Sequence, residues 1–293
     1  MVREETGNVA GTFMTDVMPI PRTTSLITSY WTKAEISVRE SIRQKHHDAD
    51  EEFITKLFHG EFREVLEAGA KDKTVERAFL EDLRRHIPES HLASQLVQLA
   101  RGISATVALH PRQIEKMTGG DIGLVLVRPN VGRQRIQVGT LNVDKCYRRG
   151  LLCQVKMNRR SGRGWGSFTT NQQNVLVERT DYLTLLLYEY KDKSRRDLMP
   201  FQWQVCAGRT LSDVERWLKS GSFPNLSNST DIIQQLGSGK VGTENSDLID
   251  QFIAPPNRES LVIKIGWPPG EGPPPNVFLG LQVRQRQLEA LQE

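Results

Sequence analysis

An α/β fold is predicted, with helices first and then a mixed sheet flanked by helices, and three observations predict it. Apolar residues recur at three- and four-residue steps from Ile27 to Leu83. Short apolar runs bounded by turn residues take over after Pro111. The strongest of those runs are separated by stretches long enough to hold a connecting helix.

Residues 1–24 mix Gly, Thr, Pro and charges without periodicity and read as an extended arm. A helical subdomain is expected over 25–104. Its first helix carries Ile27, Trp31, Ala34, Val38 and Ile42 on one face, and Thr32 with Glu35 forms a plausible capping box at its start. A second helix begins near Asp48, with Glu51 three residues on and a wide apolar face of Phe53, Ile54, Leu57, Phe58, Phe62, Val65 and Leu66. A third runs from Thr74 to His86 with Val75, Phe79, Leu80 and Leu83 on one side, before Pro88 stops it. His91 to Leu109 reads as a helix running into a strand.

The α/β core is expected over 105–267. Ile122 to Val127 is a buried strand ending at the turn Arg128-Pro129-Asn130, and Leu151 to Val155 is a second. The glycine- and arginine-rich stretch RRSGRGWGSF follows, then a short helix over Thr170 to Val177. Tyr182 to Tyr190 (YLTLLLYEY) is the strongest strand and takes the central place, and Ser260 to Gly266 is a fourth. Prolines from Pro268 to Pro275 then break regular structure, so 268–293 reads as a Pro-rich linker and an exposed terminal helix.

The 293 residues suffice for one large domain or two ordinary ones. No stretch approaches the roughly 20 apolar residues of a membrane helix. The opening MVREETGNVAGTF lacks the basic-then-apolar order of a secretory signal, so a cytoplasmic location is expected. Cys146, Cys153 and Cys206 form no CxxC pair and no zinc pattern with the histidines, which suits reduced thiols. His46 and His47 sit on a polar segment and are expected to face solvent. The sequence holds no GxxxxGK[ST] phosphate loop despite Gly237-Ser238-Gly239-Lys240, and no GxSxG or HExxH motif. Trp203, Trp217 and Phe201 are read as core or interface aromatics. A net charge of +4 does not by itself indicate a nucleic-acid partner. Its distribution says more, because Arg148, Arg149, Lys156, Arg159, Arg160 and Arg163 crowd into one span.

Gly119-Gly120-Asp121 enters the first strand, and Gln154-Val155-Lys156 ends the second. Alternate residues on a strand project to the same face, so Gln154 and Lys156 would point together towards Asp121 if the strands pair, with Val155 turned into the core. A Gln and a Lys ending an apolar strand need partners, since burying either alone costs on the order of a few kcal/mol. An acid, an amide and an amine on one face are the groups that metal-assisted phosphodiester hydrolysis uses. Gly119 and Gly120 are expected to turn the backbone and leave Asp121 accessible.

This Asp121…Gln154-x-Lys156 pattern resembles the PD-(D/E)xK nuclease superfamily, and within it the Mrr-like restriction-endonuclease branch, in which glutamine often replaces the second acid. The resemblance spans roughly residues 105 to 190 and implies a restriction-endonuclease-like mixed sheet flanked by helices. It implies that Asp121 and the Gln154 oxygen bind Mg2+ (or Mn2+), that Lys156 positions or activates the attacking water, and that Glu115 supports the metal from a preceding helix. Gln172 or Gln173, opening the next helix, resembles a position that faces the active site in the family.

Arg159, Arg160 and Arg163 can neutralise DNA phosphates, whereas Trp165 is expected to anchor its loop in the core. Glu189-Tyr190-Lys191 repeats the E-x-K spacing, with Asp181 at the far end of the same strand. Those two carboxylates would lie about 26 Å apart and cannot share a metal, although Asp121 could still pair with Glu189 across the sheet. The expected function is a metal-dependent nuclease acting on DNA in restriction or anti-phage defence. The alternatives are a catalytically inactive nucleic-acid-binding module and a sensor. A homodimer or higher homo-oligomer, and a partner protein received by the N-terminal helices, are the further expectations.

Overall fold

The computed structural model describes residues 20–46, 49–86, 104–106, 120–129, 146–158, 165–191, 194–245, 249 and 264–266. Three helices come first: α1 (Pro21–Lys45), α2 (Glu51–Lys71) and α3 (Thr74–His86). Strands β1 (Ser104–Thr106), β2 (Ile122–Pro129) and β3 (Cys146–Met157) follow, then helix α4 (Thr170–Leu176), a 3-10 turn (Thr180–Tyr182) and strand β4 (Leu183–Tyr188). The remainder is β5 (Gln202–Val205), α5 (Leu211–Ser220), β6 (Leu226–Asn228), α6 (Ser229–Gly237) and β7 (Lys264–Gly266).

The predicted mixed α/β architecture is therefore present. β2 to β6 form one five-stranded sheet in sequence order, antiparallel except where β3 runs parallel to β4. That parallel pair needs a crossover, and α4 lies within it. The YLTLLLYEY strand is the middle one, buried on both faces. Of the strand expected over Ser260–Gly266, Lys264–Gly266 is described and pairs with β1 in a separate two-stranded sheet, while 260–263 lie outside the described residues.

Each face of the large sheet carries its own apolar layer. Leu151, Cys153, Val155, Met157, Leu186 and Tyr188 face α1, α2, α3 and α6. Leu152, Leu183, Leu185 and Leu187 face Trp165, Phe168, Leu176, Val214 and Leu218, on and around α4 and α5. An aromatic cluster joins the N-terminal helices to the sheet: Trp31 lies 4.5 Å from Phe58 and 5.4 Å from Trp203, and Phe58 lies 5.4 Å from Phe201. Trp203 and Phe201 are thus core residues, and Trp217 packs at the edge of the second layer.

Three local expectations need correction. α1 starts at Pro21, so 21–24 are helical and belong to no extended arm; residues 1–19 lie outside the described residues. Thr32 is consequently mid-helix, its hydroxyl donating to the Thr28 carbonyl, and Glu35 is buried, accepting from the Phe201 N–H and the Ser229 hydroxyl. Burial raises the Glu35 carboxyl above its usual range. The real cap is tertiary: Asp82 of α3 accepts from the backbone N–H groups of Arg22 (3.0 Å) and Thr23 (2.8 Å) and from the Thr23 hydroxyl (2.8 Å). At α2, Asp50 caps the helix by accepting from the Phe53 N–H. Phe53 is exposed and lies against His46 instead of entering the core.

α5 and α6 fall outside the sequence-based expectations, yet both carry local signals. Thr210 and Asp213 form a capping box, and Gly221 ends α5 in the left-handed region at φ 70°. Asn228 caps α6 through the Asp231 N–H. His47, the segment 91–103 and the terminal helix expected over 277–293 lie outside the described residues. No helix among the described residues is long and apolar enough to cross a membrane.

Candidate active site

β2 and β3 pair with Ile122 opposite Cys153, which sets Asp121 beside Gln154. The Asp121 backbone N–H donates to the Cys153 carbonyl at 2.8 Å and so closes the ladder. Strand alternation does the rest. Leu152, Gln154 and Lys156 project to the α4 and α5 face, while Cys153 and Val155 project to the other. Asp121, Gln154 and Lys156 therefore share one sheet face.

Gly120 is required here for a reason other than the expected turn. A Cβ at this position would meet the Leu152 side chain at 2.2 Å, so glycine allows the β2 entry to lie flush on β3. This close approach lets Asp121 reach into the sheet. Its Oδ2 accepts from the Val155 N–H at 2.7 Å and from the Gln154 amide nitrogen.

Gln154 is buried and bonded at both ends of its carboxamide. Its Oε1 accepts from the Gln172 Nε2 at 3.3 Å. Gln172 is held in turn by the capping box of α4: the Thr169 backbone N–H donates to Gln172 Oε1 at 3.0 Å, and Thr169 Oγ1 accepts from the Gln172 N–H. Of the two glutamines opening this helix, Gln172 thus faces the site, whereas Gln173 turns to Phe168 and Glu215.

Lys156 lies two residues further along β3 and is 8% exposed. Its ammonium sits 5.2 Å from the centre of the Phe168 ring and forms no ion pair among the described residues. A lysine enclosed to this degree with only an aromatic face as partner among the described residues is uncommon in a purely structural role.

The downstream rival separates from this group. Leu187 pairs with Lys156, so Glu189 lies four positions along the sheet from the Asp121–Gln154 level, about 13 Å away. Glu189 also accepts a hydrogen bond from Asn158 at 3.1 Å. It cannot share an ion with Asp121. Trp165 is buried against Phe223, and its backbone N–H donates to the Leu218 carbonyl, as an anchor would. Arg149 is engaged by the Val241 and Gly242 carbonyls and by Glu244. Cys153 and Cys206 are free and buried, and burial pushes both thiols up, Cys206 to about 12. Glu115, Arg159, Arg160 and Arg163 lie outside the described residues.

The donor set fits a hard cation in its chemistry, since Asp121 offers a carboxylate and Gln154 a carboxamide oxygen. Among the described residues no group of three or more His, Cys, Asp or Glu side chains gathers at one point. A cation here would need further ligands, for which substrate phosphate and water are common sources with magnesium. The orientation of Gln154 departs from the expected ligand set, because its nitrogen, not its oxygen, faces Asp121.

The chain matches no family model, no curated protein and no solved structure.

Proposed function

We propose that the protein is a cytoplasmic, magnesium-dependent endonuclease that hydrolyses phosphodiester bonds of DNA, in restriction or defence against phage. One observation carries this reading: Asp121, Gln154, Gln172 and an ammonium without a carboxylate partner among the described residues meet on a single sheet face. Asp121 and Gln154 would hold the magnesium (or manganese) ion, which when bound polarises a phosphoryl oxygen and makes water a stronger nucleophile at neutral pH.

The chain's own groups have separable roles in this scheme. The Val155 N–H fixes the Asp121 carboxylate, so its charge is placed before substrate arrives. Lys156 donates hydrogen bonds to the attacking water or to the phosphate as negative charge builds on it. The apolar wall of Leu152, Leu185, Leu187 and Phe168 lowers the local dielectric and strengthens the field of that ammonium. Arg159, Arg160 and Arg163, which follow Lys156 closely in sequence, would neutralise DNA phosphates.

A second reading, a nucleic-acid-binding module without turnover, is favoured by the Gln154 nitrogen facing Asp121. Plasmid DNA incubated with Mg2+ or Mn2+ separates the two. The nuclease reading expects nicking or linearisation by the wild type and at least a 100-fold loss in Asp121→Asn. Intact plasmid with the wild type under both ions, with DNA still bound, would establish the binding module instead.

A further inference from the structure

We infer that the capping box of α4 is a lock on the cation site: Thr169 and Gln172 hold the Gln154 carboxamide with its oxygen turned away from Asp121, and releasing that hold raises affinity for divalent cations. The inference rests on the proposed metal site and names what controls its occupancy.

The direction of the chain of hydrogen bonds follows from its two ends. At one end stands a backbone N–H, that of Thr169, which can only donate, so the atom of Gln172 it meets must be the oxygen. The Gln172 nitrogen then points the other way and must find an acceptor, which is the Gln154 oxygen. The Gln154 nitrogen is left for Asp121, whose ionised carboxylate can only accept and already takes the Val155 N–H. Donor, amide, amide and acceptor therefore run in one sense from the helix start to the carboxylate. Reversing either amide sets two donors or two acceptors face to face.

A cation shared by Asp121 and Gln154 needs the opposite arrangement at Gln154, with oxygen towards oxygen. Turning that carboxamide by half a rotation breaks both of its hydrogen bonds, and it leaves the Gln154 and Gln172 nitrogens opposed. Gln154 is buried, so no bulk water compensates the loss. Gln172 is half-buried at the start of a short helix, so the lock can be altered without opening the core.

Two substitutions at Gln172 test the lock. Gln172→Met keeps the length of the side chain, removes the donor that holds the Gln154 oxygen, and adds no charge. Gln172→Glu presents an acceptor that favours the turned Gln154 amide. Mn2+ binding by the full chain, followed by electron paramagnetic resonance without DNA, is the readout, with circular dichroism confirming the fold. Both variants are expected to bind Mn2+ at least fivefold more tightly than the wild type. A gain in Gln172→Glu alone would be the effect of added charge and would overturn the lock, as would unchanged or weaker binding in both. Plasmid cleavage in parallel keeps the two claims apart. Tighter Mn2+ binding without cleavage by any form retains the lock and refutes the nuclease, whereas cleavage by the wild type with equal Mn2+ affinities does the reverse.

Discussion

Replacing Lys156 by methionine should make the protein more stable and inactive at the same time. The side chain is 8% exposed and its ammonium rests 5.2 Å from the Phe168 ring centre, with no ion pair among the described residues. Withdrawing an ammonium from water costs on the order of several kcal/mol after relaxation, and an aromatic face returns roughly 0.5–2 kcal/mol of that. Methionine has a similar length, keeps the contact with the Phe168 ring, and carries no charge to desolvate. The expected net change is a stabilisation of about 1 kcal/mol, equivalent to an increase of about 2–4 °C in midpoint temperature for a chain of this size. Urea denaturation at pH 7 reads the stability, and plasmid cleavage with Mg2+ reads the activity, which should fall at least 100-fold. A destabilisation of more than about 1 kcal/mol, or cleavage at the wild-type rate, would refute the assignment of Lys156 as a residue kept for chemistry at a cost in stability.

Asp82→Ala removes the acceptor of two backbone N–H groups and one hydroxyl at the start of α1, and it should destabilise by about 2–4 kcal/mol in urea while cleavage per folded molecule is unchanged. Gly120→Ala drives a methyl into Leu152 and should cost about 1–3 kcal/mol and weaken Mn2+ binding by displacing Asp121; pairing it with Leu152→Val should recover part of both losses, and no recovery would mean that backbone strain, not this contact, is the cause. His59 is buried, and burial followed by the charge of Arg63 lowers its pKa to about 4 from an ordinary 6.5. Because the folded form disfavours the imidazolium, this contribution is fully present above pH 6.5 and is lost as pH falls towards 4. Replacing His59 with Gln should remove up to about 2 kcal/mol of pH dependence across that window, measured by urea denaturation at pH 7 and pH 4.5.

Local sequence determined much of the framework. The third helix shows its helical period and the strands at Ile122, Leu151 and Tyr182 show as short apolar runs, whereas the helix at Thr170 was legible from the length of its segment, with Leu176 alone buried among its residues. The capping box that starts α4 was also encoded locally, in Thr169 and Gln172. Strand alternation alone indicated that Gln154 and Lys156 share a face, and Val155 turned inward as that rule requires. β5 and β6 were not legible, since four and three residues are too short to show a period and acquire strand character by pairing with β4 and each other. α5 and α6 had capping signals, but their apolar faces are short.

Tertiary structure alone decided three matters. α1 has a proline at its first position, but the cap that satisfies its start comes from Asp82, sixty residues away, and no local pattern encodes that partner. Glu189 was separated from Asp121 by the parallel register of β3 and β4, which fixes their distance along the sheet. The Gln154 amide took its orientation from a chain joining β2, β3 and α4, and that orientation depends on which donors and acceptors meet in space. A sequence specifies periodicity and caps because those are interactions between near neighbours; register and hydrogen-bond direction across a sheet are settled only when distant segments compete for the same few partners.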